Sequence, residues 1–318
     1  MGDLLRAAGR DIVELFGFRP DDKSTEAAAS WHKRACPFMG ATCSKTNHDQ
    51  STIYGTCSVT AGVNATTPRD EVIICPKRLY ADNYKVLQDV IDTVWEGAGK
   101  ELVAGGDNTT LKSNALQKKN PVIAFGQNSG KEVQINSNGQ LSMDWVLQSY
   151  SANGAEDLRC HEFVGVEVQS IDITGNYRNT WGAYAKQFSG EEVDSVPNSG
   201  HGLNWANVHK RLIPQIIRKG NVYSKCNRCI GFFFIVPDLV FTKFQEVIGA
   251  IPHQEGPGKN TLSVLTYVLG EKVENGKHRK IENVGVAHFL LSDVANAFIS
   301  NSGDNAPEDL DLILSNIP

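Results

Sequence analysis

Four side chains between positions 132 and 169 are suited to gripping a divalent cation: Glu132, Asp144, Glu167 and Gln169. All lie in runs that read as strands, where successive side chains point to opposite faces. Val164, Val166 and Val168 share one face and leave Glu167 and Gln169 on the other. Leu141, Met143, Trp145 and Leu147 share a face and leave Asp144 with Ser142 and Gln148 opposite. Val133 and Ile135 point away from Glu132 and Gln134. As neighbours in one sheet, these strands bring Glu132, Asp144, Glu167 and Gln169 together. Converging carboxylates repel unless a cation neutralises them. Mg²⁺ does so with one or two carboxylates, waters and phosphate oxygens, and it activates water against a phosphate. The alternative is that these acids occupy the solvent faces of amphipathic strands.

A second set is Cys36-x6-Cys43-x13-Cys57-x17-Cys75. Four thiolates satisfy a tetrahedral zinc or iron. No pair has tight knuckle spacing, but the segment is loop-rich, with Pro37 and Pro76 after the first and last cysteines. Four buried free thiols are the alternative. Cys226-x2-Cys229 has knuckle spacing, yet its co-ligands Cys160, His161, His201 and His209 are scattered, so those two read as ordinary thiols.

The elements that must position these residues follow from periodicity. A helix is expected over 4–16, with Leu4, Leu5, Ala8, Ile12, Leu15 and Phe16 on one face. Residues 36–80 read as a small module without helical period. A helix starts at Asp82, with Val86, Leu87, Val90, Ile91, Val94 and Trp95 at helical spacing and Gly97 as its stop. Residues 98–120 read as loop with one short helix. Strands are expected at Pro121–Phe125 continuing to Glu132–Asn136, at Leu141–Gln148 and at Phe163–Asp172, with a hairpin at Asn138-Gly139. A helix runs to Phe188, a loop covers 189–202, and a helix over Leu203–Gly220 is interrupted or restarted at Pro214. Ile230–Val236 is a buried strand, and Asp238 caps a helix through Ile248. Strands at 261–269 and 283–290 and a helix at 291–299 precede an acidic tail. The alternation points to a mixed α/β domain over 81–318 behind an N-terminal helix and cysteine module over 1–80.

The chain has 318 residues, 41% hydrophobic and 21% charged, which excludes wholesale disorder. No apolar run reaches membrane-spanning length. The N-terminus is interrupted by charges and Arg6 departs from the myristoylation pattern, so a cytoplasmic location is expected. The net charge of −5 argues against a passive nucleic-acid coat but not against an enzyme with a local basic cleft. Seven cysteines, an odd number, argue against a disulfide framework. Between Val196 and Pro237 there are six Lys or Arg (Lys210, Arg211, Arg218, Lys219, Lys225, Arg228) and no acid, a basic island suited to phosphate contact. A solvated helix face is the alternative.

Cys36-Pro37-Phe38, Gly55–Val59 and Val72–Arg78 resemble the N-terminal metal module of the NotI-type restriction endonucleases. Gly130–Glu132, Ser142–Trp145, Gly165–Asp172, Asn207–Arg211 and Gly231–Pro237 follow in that family's order. The resemblance is closer to the EagI branch through Ser142–Leu147, Gln169–Arg178 and His201–Gly220, and covers roughly residues 10–250. It implies a PD-(D/E)xK fold, a mixed sheet flanked by helices, in a homodimer that cuts both strands of palindromic duplex DNA with Mg²⁺. It places the catalytic Asp, Glu and Gln on Asp144, Glu167 and Gln169, and an additional acid on Glu132. It places a structural iron, with zinc as the alternative, on Cys36, Cys43, Cys57 and Cys75. A GC-rich palindrome is implied, a CGGCCG centre being one candidate, as is a companion DNA methyltransferase. Candidate DNA contacts are Arg178, which follows the catalytic strand and turn, and Lys210, Arg211 and Arg218. The competing readings are a catalytically silent, metal-stapled DNA-binding protein and a loosely specific repair or mobile-element nuclease.

Overall fold

The computed structural model describes residues 10–301 except 48, 63–69, 137–139 and 153–157. The acidic tail and the Asn138-Gly139 turn therefore lie outside the described residues. In chain order come β1 (Ile12–Leu15), α1 (Thr25–Lys33), a small hairpin of β2 (Ala35–Cys36) and β3 (Ala41–Thr42), then β4 (Thr56–Thr60) and β5 (Glu71–Ile73). A 3₁₀ turn over Pro76–Tyr80 leads into α2 (Ala81–Val94). There follow β6 (Glu101–Val103), α3 (Asn108–Leu116), β7 (Pro121–Gly126), β8 (Val133–Asn136), β9 (Gln140–Met143), β10 (Trp145–Ala152) and β11 (Leu158–Val168). The last part holds β12 (Ile173–Thr174), α4 (Arg178–Phe188), β13 (Gly202–Leu203), a π-helical turn over Val208–Leu212, α5 (Ile213–Ser224), β14 (Cys229–Pro237), α6 (Asp238–Ile248), β15 (Thr261–Leu269), β16 (Ile281–Leu290) and α7 (Leu291–Asn301).

The central sheet has seven strands in the order β16-β15-β14-β11-β10-β7-β6. It is mixed: β11, β14 and β15 run parallel, as do β6 and β7, and the other pairs are antiparallel. Alternation divides its side chains between two cores. Val164, Val166, Val168, Trp145, Leu147, Phe233 and Ile235 pack against Val86, Leu87, Val90 and Ile91 of α2. Phe232, Phe234, Leu262 and Val264 pack on the other face against Ile216, Val240, Phe244 and Val294 of α5, α6 and α7. That second core also takes in Ile12, Phe16, Trp31, Cys36 and Cys43.

Several expectations change. Over its described part, the helix expected at 4–16 is a strand, β1, paired antiparallel with β4. All four residues Ile12–Leu15 are buried, and a fully buried strand can satisfy helical apolar spacing by accident. The buried exception to apolarity, Glu14, is held by Arg78 Nε and Nη2 at 2.9 Å and by the Ser58 hydroxyl at 2.8 Å. The run from Pro121 to Asn136 is two strands, with β8 pairing only with β9 in a hairpin outside the central sheet. Leu141–Gln148 is likewise broken, at Asp144, so Met143 joins the α5 core and Trp145 the α2 core. The stretch 98–120 contains β6 as well as α3. Asp238 stands inside the first turn of α6, with Pro237 in the cap position. The helix expected from Asp82 is present but regular only from Lys85, because Asp82, Asn83 and Tyr84 are left-handed; the helix to Phe188, the restart near Pro214 and the strands at 230–236, 261–269 and 283–290 are present.

Candidate active site

The site forms where β10 and β11 meet. Asp144 occupies the bend between β9 and β10, released from the pleat that constrains its neighbours. The bend fits because residue 126 is glycine: a Cβ there would collide with the Asp144 carbonyl. The Asp144 carboxylate is tied across to the neighbouring strand, accepting from the Val168 amide at 3.0 Å. Reciprocally, Glu167 Oε1 lies 3.4 Å from the Asp144 amide. The two carboxylates thus face each other over one rung of the sheet.

Glu167 is wholly buried on the face covered by α5. Its Oε2 is held by the ammonium of Lys219, whose side chain is 8% exposed. Burial first, and then the charge of Asp144, raise the Glu167 carboxyl to about 8 even though Lys219 opposes the shift. Gln169 continues the ladder through its amide to the Ile235 carbonyl at 3.0 Å, and its side-chain amide donates to Gln215 of α5 at 3.2 Å. Asp144 and Gln169 line a cavity of about 220 Å³ whose wall also includes Pro76, Asp172, Asn207 and Arg211. Asp172 accepts from Asn207 at 2.8 Å and from Arg211 at 2.9 Å across that wall.

The structure therefore brings Asp144, Glu167 and Gln169 together. Glu132 is exposed and outside the cavity lining. It stands one residue before the last β8–β9 pair, Val133 opposite Met143, so the hairpin carries it to the same end as Asp144. Arg211 is on the cavity wall; Lys210 is exposed beside it in the same turn, and Arg218 is exposed on α5. Arg178 is exposed at the start of α4, with its charge felt by Asp49.

Lys219 is the member that the sequence reading placed elsewhere, among surface cations. A signal was present. Leu212, Ile216, Lys219 and Tyr223 recur at helical spacing on the buried stripe of this segment, and a lysine on such a stripe demands a buried partner.

The four N-terminal cysteines are all buried. Burial raises Cys36, Cys43 and Cys57, and the charge of Cys75 adds to each. The Phe38 and Met39 amides donate to Cys36, and the Lys45 amide lies 3.5 Å from Cys43 Sγ, contacts that favour thiolate. The thiols are electrostatic neighbours. Among the described residues, however, no group of three or more His, Cys, Asp or Glu side chains is arranged to hold a metal ion. The module abuts the cavity through Pro76 and through the Ile74 carbonyl, which accepts from the Ser170 hydroxyl at 3.2 Å. Among the described residues, no helix is long and apolar enough to cross a membrane.

Among models of known protein families, one described as Restriction endonuclease NotI matches residues 23–255, which include every candidate site residue. No curated protein matches the chain.

Proposed function

The chain belongs to the NotI restriction endonuclease family, and from that premise we propose that it is an Mg²⁺-dependent type II enzyme that hydrolyses both strands of a GC-rich palindrome, with CGGCCG as one candidate centre. One observation carries the chemistry. Asp144 and Glu167 oppose each other across a rung of the sheet, beside a cavity that an arginine helps to line.

Asp144 and Glu167 would hold Mg²⁺, and two carboxylates with waters and a phosphate are a sufficient set for that ion. When bound, it supplies neutralisation at the attacked phosphate and an acidified water. The surrounding residues do the positioning. Asp144 is anchored by the Val168 amide and lines the cavity. Gln169 has no titratable proton; its carboxamide, steadied by Gln215, orients the attacking water or the phosphate. Glu132 would complete the acid set from the hairpin. Arg211, Lys210, Arg218 and Arg178 would contact DNA, with Arg suited to guanine. A PD-(D/E)xK architecture, an EagI-like branch and a homodimer matching the two-fold symmetry of a palindrome belong to the same reading. So does a companion methyltransferase. A structural iron, or zinc, on the four cysteines belongs to the same reading, supported by their mutual proximity and the amide donors on Cys36 and Cys43, although the thiols as described are not arranged as a metal-ligand set.

The test is digestion of a fully sequenced phage genome with purified protein, with Mg²⁺ and with EDTA. Discrete Mg²⁺-dependent fragments are expected, with ends that give the site. Asp144→Asn should lose cleavage and keep DNA binding. A smear, or no cleavage of DNA containing CGGCCG and other GC-rich palindromes, would overturn the reading.

A further inference from the structure

Helix α5 and strand β11 lie against each other in register. Along β11 and the residue that follows it, those facing α5 are Gly165, Glu167 and Gln169. Along α5, Tyr223, Lys219 and Gln215 meet them one for one. The Tyr223 ring covers Gly165, Lys219 pairs with Glu167, and Gln215 accepts from Gln169. The match is geometric. Four helical residues advance ~6.0 Å and two strand residues ~6.6 Å, so consecutive contacts stay aligned over two steps. α5 therefore carries an outer partner for both Glu167 and Gln169 at the end of the catalytic strand.

The partner of Glu167 divides its two oxygens between different tasks. Oε2 is taken by Lys219, while Oε1 is turned toward the Asp144 backbone, on the side where the other carboxylate lies. A cation shared by Asp144 and Glu167 has use for Oε1 and leaves Oε2 to the ammonium. Lys219 is 6% exposed and has no solvent role to play. The hydroxyl of the next residue along that stripe, Tyr223, is buried without a hydrogen-bond partner beside the same carboxylates, so this polar patch is not saturated by protein groups.

We propose that Lys219 is a positioning residue for the catalytic cation: from α5, it holds Oε2 of Glu167 so that Oε1 is preset beside Asp144 as a metal ligand. This rests on the Mg²⁺-dependent reading of Asp144 and Glu167. Hydrogen-bonded partners of ligating carboxylates change metal affinity or activity by about 10–100-fold when removed.

The experiment compares the wild-type protein with Lys219→Met, Lys219→Gln and Lys219→Arg. Ca²⁺ affinity is measured by calorimetry on the intact protein bound to cleavable DNA, which Ca²⁺ is used to leave uncut. Mg²⁺ half-saturation and the rate at saturating Mg²⁺ are measured in single-turnover cleavage. Lys219→Met and Lys219→Gln should weaken Ca²⁺ binding and raise the Mg²⁺ half-saturation about 10–100-fold, with the rate at saturation within about threefold of wild type. Lys219→Arg should recover most of the affinity. If Lys219→Met does not fold, Lys219→Gln, which keeps a donor without the charge, decides the question. Ca²⁺ affinity unchanged or tightened in the folded neutral variant, or not improved by arginine, overturns the proposal. A wild-type protein that binds Ca²⁺ at Asp144 and Glu167 but cuts no DNA would instead overturn the nuclease reading, and the calorimetric comparison would still judge Lys219.

Discussion

Replacing Arg78 by methionine should be among the most damaging single changes in the N-terminal half of the chain. Arg78 is wholly buried, and its partner Glu14 is 1% exposed. The guanidinium makes two 2.9 Å bonds to the Glu14 carboxylate and a third, at 2.6 Å, to the Arg279 carbonyl, more than two hundred residues away in sequence. It also lies 4.7 Å from the centre of the Phe38 ring. Methionine fills comparable space but leaves Glu14 buried with only the Ser58 hydroxyl for a partner. Stranding one member of a buried pair costs about 3–5 kcal/mol. At roughly 2–4 °C per kcal/mol for a chain of this order of size, the melting temperature should fall by about 6–20 °C. The double variant Glu14→Leu with Arg78→Met removes both charges, and buried pairs replaced whole are near neutral or stabilising by up to ~4 kcal/mol. Calorimetric melts of the two single variants and the double complete the cycle. A loss below ~1 kcal/mol for Arg78→Met, or a double variant as poor as the sum of the singles, would refute the reasoning, because either would mean that the charges are not stranded by separation.

Three further outcomes follow from other contacts. His201 is 1% exposed; its Nε2–H donates to the Thr60 carbonyl at 2.9 Å and its Nδ1 accepts from Ser199 at 2.5 Å, and burial holds its pKa below the ordinary value. A depressed folded pKa gives stability that is present above about pH 6.5 and lost as the pH falls. His201→Gln should therefore flatten the decline in melting temperature between pH 7 and 5, and an unchanged slope would count against the assignment. Gly165→Ala puts a methyl group into the Tyr223 ring. It should cost about 1–3 kcal/mol in a denaturant melt and slow cleavage well below the melting temperature, while DNA affinity in Ca²⁺ holds; full cleavage activity would show that the seat of α5 is irrelevant to catalysis. Arg211, with its side chain 66% exposed and paired with Asp172, should act as a phosphate contact. Arg211→Ala should lower the slope of log affinity against log salt by about one, and an unaltered slope would remove it from the DNA interface.

Much of this architecture was legible where one face of an element is apolar and the other is not. The alternation of Val164, Val166 and Val168 correctly set Glu167 apart, and the spacing of Val86 to Ile91 correctly marked the helix that covers those valines. The reading failed where periodicity is silent about environment. Ile12–Leu15 is buried on every side, so neither period distinguishes strand from helix there, and the identity of Glu14 as a buried ion became visible only with Arg78 in place. The break at Asp144 was hidden because its enabling residue, Gly126, is distant in sequence and adjacent only across the sheet. Lys219 was misassigned for the opposite reason. Its neighbours in sequence are surface cations, while its position on the stripe of Ile216 and Tyr223 turns it inward.

The in-register seat of α5 on β11 also limits how this family can vary. A residue gained or lost between Gln215 and Tyr223 rotates the helix by roughly 100° and uncouples Lys219 from Glu167. One gained between Gly165 and Glu167 turns Glu167 toward the valine core relative to the residues before it. The largely exposed stretch over 189–195 imposes no such phase. Length differences among relatives should therefore accumulate there, and the two paired segments should be inherited as blocks of fixed length. Where a relative replaces Tyr223 by a smaller residue, position 165 is released from glycine.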